Sequence, residues 1–208
     1  MKRNYQKELD LLIEDFARKG QVPALMLHSC CAPCSSYALE YLSDYFHINV
    51  FYYNPNISSE EEYNLRLSEQ RRLIRELPQK YPVTLTEGEY DPQVFYRMAK
   101  GLEKCPERGE RCLRCYRLRL EECARLAKEQ GADFFATTLT LSPLKSADAI
   151  NEIGEELADK YGIAYLCTDF KKKNGYKRSI ELSREYNLYR QNFCGCVFSK
   201  VQSESVED

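Results

Sequence analysis

The sequence predicts an α/β fold in which a mainly parallel sheet is flanked by helices. Three observations carry this. Short apolar runs rich in β-branched and aromatic residues alternate with longer segments of helical spacing. Capping residues, glycines and prolines separate the two kinds of segment. A chain of 208 residues, 43% hydrophobic and 30% charged, suits one ordinary globular domain.

Residues 3–19 show helical spacing at Tyr5, Leu9, Leu12 and Phe16. PALMLH (23–28) reads as a short buried strand. Pro33 punctuates the loop after it, and Ser35 or Ser36 is expected to cap a helix reaching about Tyr45. HINVFYY (47–53) is a second strand closed by the turn NPN (54–56). Ser59 with Glu62 forms a capping-box pattern ahead of a helix ending near Pro78. PVTLTEG (82–88) is a third strand, and residues 91–103 look helical. The loop KCPERGERC (104–112) leads into a helix whose apolar face is Leu113, Tyr116, Leu120, Cys123 and Ala127, with Gly131 suited to its end. ADFFATTLT (132–140) is a fourth strand, 146–161 a helix, GIAYLCTD (162–169) a fifth strand and 176–188 the last helix. The expected organisation is a single α/β domain over 1–199 with an N-terminal helix, then an acidic, disordered tail at 200–208.

No apolar run approaches the roughly 18–20 residues that span a bilayer. The charged, amphipathic N-terminus does not resemble a signal peptide. The expectation is a cytoplasmic protein without a membrane partner, in which the ten cysteines stay reduced and serve metal binding or redox chemistry. The formal net charge of −2 excludes a polycation. Basic side chains nevertheless concentrate in two stretches, one running from Arg97 to Arg119 and one from Lys171 to Arg190.

Seven cysteines fall in three tight groups: Cys30, Cys31 and Cys34; the C-x-x-C of Cys112 and Cys115; and Cys194-Gly-Cys196. The first group follows the first strand, where α/β sheets place ligands. A phosphate-binding loop would carry glycines there, and thiols hold those positions instead. Cys112 and Cys115 lie one turn apart at a helix start, so both sulfurs can face one centre. Gly195 lets the backbone fold tightly between its two cysteines. Seven thiols exceed what one tetrahedral ion takes. All-sulfur ligation leaves iron–sulfur and zinc as the candidates, and the surplus favours a multi-iron cluster, alone or with a second metal beside it. Cys123 and Cys167 read as small core hydrophobes, and Cys105 as an irregularly spaced neighbour of the second group.

Five motifs then carry a resemblance: HSCCAPCS, YYNPNI with EEYNLRLSEQ, CLRCYRLRLEECA, TTLTLSPLKS and YRQNFCGCVFS. Together, from about residue 24 to residue 199, they resemble the cobalamin-independent epoxyqueuosine reductases of the QueH type. The resemblance implies a Rossmann-like fold of the adenine-nucleotide-hydrolase type. It implies reductive removal of the epoxide oxygen from epoxyqueuosine in a tRNA anticodon to give queuosine, with electrons from an unidentified donor. It also implies a [4Fe–4S] cluster with an adjacent mononuclear iron, ligated from among Cys30, Cys31, Cys34, Cys112, Cys115, Cys194 and Cys196. Some relatives carry Asp where this chain has Cys34; carboxylate and thiolate both bind iron. Loss of oxygen as water needs an acid. Tyr189, Asp169 and Tyr116 are the candidate proton donors, although Tyr116 also reads as a core aromatic and Asp169 as a strand-end polar residue. For the tRNA backbone the candidates are Lys171, Lys172, Lys173, Lys177 and Arg178, with Arg190 and Gln191 nearer the third thiol group; the bland alternative is a solvated loop. Asn54 and Asn56 are expected either to line the same crevice or simply to turn the chain.

Two competing functions share these residues. A zinc-stabilised RNA-binding module would use the thiols only to staple loops. A nucleotide-activating sulfur-transfer enzyme would use the same fold, but the missing glycine-rich loop argues against it.

Overall fold

The apolar runs form five strands in one sheet: β1 (Ala24–Ser29), β2 (His47–Tyr52), β3 (Val83–Glu87), β4 (Phe134–Thr137) and β5 (Ala164–Tyr165). Their order is β3-β2-β1-β4-β5 and every pairing is parallel. A computed structural model describes residues 3–199; the expected acidic tail, 200–208, lies outside them. The strands alternate with α1 (Tyr5–Lys19), α2 (Ala32–Leu42), α3 (Glu60–Glu76), α4 (Pro92–Ala99), α5 (Glu110–Glu129), α6 (Ala147–Tyr161) and α7 (Gly175–Glu185). The expected α/β Rossmann-like class is therefore the observed one.

Helices cover both faces of the sheet, which is why its strands read as continuous apolar runs. On one face Leu25 and Leu27 of β1 and Ile48 and Val50 of β2 pack with Leu9, Ile13, Leu39, Leu42, Leu73 and Leu182 from α1, α2, α3 and α7. On the other, Met26 and Phe135 pack against Leu120, Cys123, Ala124 and Ala127 of α5 and Ile150, Ile153 and Leu157 of α6. Leu27 is in register with Val50 on one side and Ala136 on the other, so it marks the middle of the sheet. The chain builds outward from β1 through β2 to β3, then crosses back to set β4 on the far side of β1. The strand order reverses between β1 and β4, and in such sheets the crevice at the carboxyl ends there takes the ligand.

Three boundaries differ from expectation. Helix α2 starts at Ala32, not at Ser35 or Ser36. Proline in the first helical turn loses no hydrogen bond and its fixed φ suits the helix. Cys31 is thus the extended N-cap and Cys34 lies in the first turn. Strand β4 stops at Thr137, whose hydroxyl accepts from Leu139 N at 3.2 Å and starts a 3-10 turn over Thr138–Leu141. Strand β5 is two residues long. Beyond it the buried Asn151 side chain, not a strand partner, bonds both backbone groups of Thr168, at 2.9 and 3.1 Å.

His28 ties the switch point together. It is fully buried on β1, with Nδ1 2.9 Å from Thr137 Oγ1 and Nε2 3.2 Å from the Tyr53 carbonyl. A carbonyl only accepts, so Nε2 carries the proton. Burial, with the nearby Arg119 charge, pushes its pKa down to about 3.

Candidate metal centre at the strand switch point

The first thiol group is a product of one strand–helix turn. Chain leaving β1 places Cys30, Cys31 and Cys34 with their sulfurs all within 4.8 Å of one another, a spacing that could hold one metal ion. The Cys30 and Cys31 sulfurs are 3.8 Å apart. Hydrogen bonds from the Cys31 and Cys34 thiols hold Cys30 well below the ordinary thiol pKa. Cys31 is pushed up to about 12 by its bond to Cys30, and Cys34 is raised for the same reason. The α2 N-terminus adds to the preference for thiolate at Cys30. Below the sulfurs the turn is locked: the Ser29 and Ser35 hydroxyls contact each other and each lies 2.8 Å from Gln70 Oε1, with the Cys31 carbonyl 3.0 Å from the Ser35 hydroxyl.

The second group is assembled from distant segments. Cys112 and Cys115 project from the first turns of α5, and Cys194 and Cys196 come from the C-terminal loop. All four line one small cavity with Asn56, Phe95, Arg111 and Tyr116. Burial raises the pKa of Cys112, and pushes that of Cys115 up to about 12, with the neighbouring thiols adding to the effect. The C-terminal loop is docked by backbone and side chain together. Ser58 donates to the Gly195 carbonyl from its N–H at 3.1 Å and from its hydroxyl at 3.2 Å. Arg66, buried on α3, donates to the Cys194 carbonyl at 3.2 Å and pairs with Glu62 at 2.6 Å. Gly195 sits at φ +112, and a Cβ there would meet Ile57 at 3.0 Å and Arg66 at 3.2 Å. Only glycine turns the chain this closely against α3.

The two groups face a common set of cations. Arg119 lies one turn beyond Cys115; burial works against its charge, yet Cys115 and Cys194 of one group and Cys30 of the other raise its pKa. Burial works against the Lys145 ammonium, yet Cys194, Cys30 and Cys34 hold its pKa above the ordinary value. Arg111, also buried, donates from Nη1 to the carbonyls of Leu102, Glu103 and Cys105 at 2.6–3.0 Å, which pins the loop before α5. Its Nε and Nη2 are buried without a hydrogen-bond partner. Sequence reading missed Arg111, Arg119 and Lys145, because charged residues on amphipathic segments read as solvent-facing. The one signal available was that Arg119 sits at i+4 from Cys115, beside the apolar face of α5.

Of the expected proton donors, Tyr116 lines the cavity, and burial raises its pKa. Tyr189 donates to Glu62 at 3.1 Å, and through Glu62 and Arg66 it supports the Cys194 loop. Asp169 pairs with Lys171 at 2.9 Å and is not among the cavity residues. Most of the expected tRNA-facing side chains have intramolecular partners. Lys171 also donates to the Thr140 carbonyl, Lys173 pairs with Asp10 at 2.7 Å, and Arg178 pairs with Glu40 at 2.6 Å and Glu185 at 2.9 Å. Arg190 donates to the Ser183 hydroxyl at 2.9 Å, and Gln191 has a buried Oε1 without a partner. Lys172 and Lys177 are exposed.

Asn56 lines the cavity, while Asn54 both closes the turn, accepting from Ile57 N, and accepts from Arg119. Cys123 is fully buried in the core, as its place on α5 implied. Cys167 corrects the reading of it as a core hydrophobe: it is half-buried, with its sulfur 3.6 Å from Glu155 and 3.9 Å from Arg3. The short β5 explains this, because Cys167 lies beyond the last ladder pair. Cys105 is half-buried and contributes its carbonyl, not its sulfur, to the loop that Arg111 holds.

Fold and site define a class: a Rossmann-like α/β protein whose ligand crevice carries clustered thiols in place of a phosphate loop. The comparison with known proteins is more specific. The sequence profile described as "Epoxyqueuosine reductase QueH" matches residues 25–202. Similar proteins bearing that name occur in Staphylococcus epidermidis, 44% identical over 205 residues covering 97% of this chain and 86% of the relative, and in Staphylococcus aureus, 42% identical over 205 residues, covering 97% and 85%. A third, from Streptococcus pyogenes, is 40% identical over 200 residues, covering 95% and 78%. The chain belongs to the epoxyqueuosine reductase QueH family.

Proposed function

We propose that this protein removes the epoxide oxygen of epoxyqueuosine in tRNA, consuming two electrons and two protons and releasing water and queuosine. The observation that carries this is a four-thiol cavity and a three-thiol cluster that act on the same cations, Arg119 and Lys145, in a chain of this family. The donor set fits the expected metals. Cys112, Cys115, Cys194 and Cys196 would supply the four thiolates of a [4Fe–4S] cluster, and Cys30, Cys31 and Cys34 would hold the adjacent iron. Buried Arg119 and Arg111 carry nitrogens without partners beside those thiols, as an anionic metal–thiolate group would require. When bound, the metals would supply single electrons and Lewis acidity.

The chain's own residues do the rest. Tyr116, held protonated by burial, is the favoured donor to the leaving oxygen, and Tyr189 and Asp169 are braces. Lys145 provides a cation to the mouth between the thiol groups. Lys172 and Lys177 are free for phosphate contact, whereas Lys171, Lys173, Arg178 and Arg190 hold the fold around them. The reading takes 1–199 as one catalytic domain working in the cytoplasm, where tRNA is found.

The test is anaerobic. Purified protein is analysed for iron and acid-labile sulfide, then given epoxyqueuosine-tRNA and a reductant, with products followed by nucleoside mass spectrometry. Brown, sulfide-bearing protein that makes queuosine is the expected result. Colourless protein carrying only zinc and unable to convert the nucleoside would identify the thiols as structural staples.

A further inference from the structure

Arg119 is 1% exposed, and no carboxylate among the described residues pairs with it. Its Nε donates to the Cys115 carbonyl and its Nη1 to Asn54 Oδ1, both at 3.3 Å; both acceptors are neutral. Its Nη2 is buried with no hydrogen-bond partner. A guanidinium does not deprotonate in proteins, so the charge is permanent. Burying it beside neutral groups alone is costly. The same chain pairs its buried Arg66 with Glu62 at 2.6 Å. The groups that would offset its charge once ionised by a metal are sulfurs: Cys115 and Cys194 from one thiol group and Cys30 from the other.

We propose that Arg119 is a positioning residue: the buried counter-charge shared by both thiol groups, which raises the potential at which the metal centre they hold accepts an electron. The inference rests on the iron–sulfur reading above and deepens it. Each one-electron reduction by an external donor adds one negative charge to the centre. A fixed, buried cation with an unpartnered N–H stabilises the reduced state more than the oxidised one. Net charge and hydrogen bonds to sulfur are the levers by which proteins set such potentials. Placing the cation between the two groups lets one side chain act on both, and its bond to Asn54 ties it to the loop after β2.

Wild type, Arg119→Lys and Arg119→Gln are reconstituted anaerobically and titrated with dithionite under electron paramagnetic resonance, with iron and sulfide determined on the same samples. The expected result is a shift of the midpoint potential to more negative values in Arg119→Gln at unchanged iron content, largely restored in Arg119→Lys. An Arg119→Gln protein with full iron and an unchanged potential overturns the proposal while leaving the reductase reading intact. If Arg119→Gln takes up no iron, thermal melting of the metal-free proteins decides. A variant melting no lower than wild type supports the proposal, because it shows that Arg119 does not brace the metal-free fold. A clearly lower melting temperature makes Arg119 a structural brace and overturns it. A wild type that holds zinc and no iron overturns the functional reading, and this inference with it.

Discussion

The two thiol groups are built by opposite routes, and the contrast separates what is local from what is assembled. Cys30, Cys31 and Cys34 need one strand end and one helix start, with a serine–glutamine floor beneath them. That frame is continuous with β1, the central strand of the sheet. Cys112, Cys115, Cys194 and Cys196 need a C-terminal loop pressed onto α3 by Ser58, Arg66 and Gly195. The first group should persist as long as the sheet does. The second can come apart by local opening, which draws on few contacts and a low free energy.

The largest effects come from the ligands themselves. Cys30→Ala, Cys112→Ala and Cys194→Ala should each abolish queuosine formation. Elemental analysis should divide them: Cys112→Ala and Cys194→Ala lose acid-labile sulfide with their iron, whereas Cys30→Ala keeps the sulfide and loses the remaining iron. Equal loss of sulfide in all three would dissolve the distinction between the groups. Cys123→Ala, in the α5 core, should keep its metal and lose only stability.

The next effect tests the docking of the C-terminal loop. Glu62→Gln removes the only carboxylate paired with buried Arg66 among the described residues and takes a strong acceptor from Tyr189. Breaking a buried pair from one side costs about 3 kcal/mol or more. The expected outcome is a lower melting temperature, with sulfide content falling before the sheet unfolds. Gly195→Ala isolates the loop more cleanly. Strain at φ +112 and the close approach to Ile57 and Arg66 cost about 1–3 kcal/mol. Circular dichroism should show the sheet melting unchanged while the protein binds cluster iron about 10–100-fold more weakly. A Gly195→Ala protein with wild-type sulfide content would show that the loop tolerates a side chain and that its docking is not selective.

The same contrast explains what the sequence disclosed. Buried parallel strands write themselves as apolar runs, so the sheet was legible down to its switch point. The short β5 was not, because Asn151, a helix residue, takes the backbone groups that a ladder partner would have bonded. The seven thiols were legible from spacing. Their division was not, since nothing near Cys194 in sequence reveals that it docks against Ser58 and Arg66. Long-range pairing also misled the reading of the basic stretch. Lys173 looks free beside its sequence neighbours, but its partner is Asp10 on α1, and Arg178 adds Glu40 on α2 to Glu185 of its own helix. Arg119 was hidden for the converse reason: an arginine flanked by Leu118 and Leu120 on an amphipathic helix reads as a surface charge until the other face of the crevice is in place.

The smallest effect sharpens the claim that the first group shares the stability of the sheet. His28 is buried and neutral, with a pKa near 3 against an ordinary value of 6.5. Between those values the unfolded chain binds a proton that the folded chain refuses. Stability from this residue is therefore complete above about pH 6.5 and declines as pH falls toward 3, by about 1.4 kcal/mol per pH unit at the steepest. His28→Asn, which retains a polar side chain toward Thr137, abolishes that proton. Denaturant unfolding of metal-free protein from pH 7 to 4 should give a wild-type slope steeper than the variant's by one proton. Two identical slopes would mean that His28 charges within the folded state. The β1–β4 seam, with the Cys30 turn at its end, would then be open to water and as detachable as the C-terminal loop.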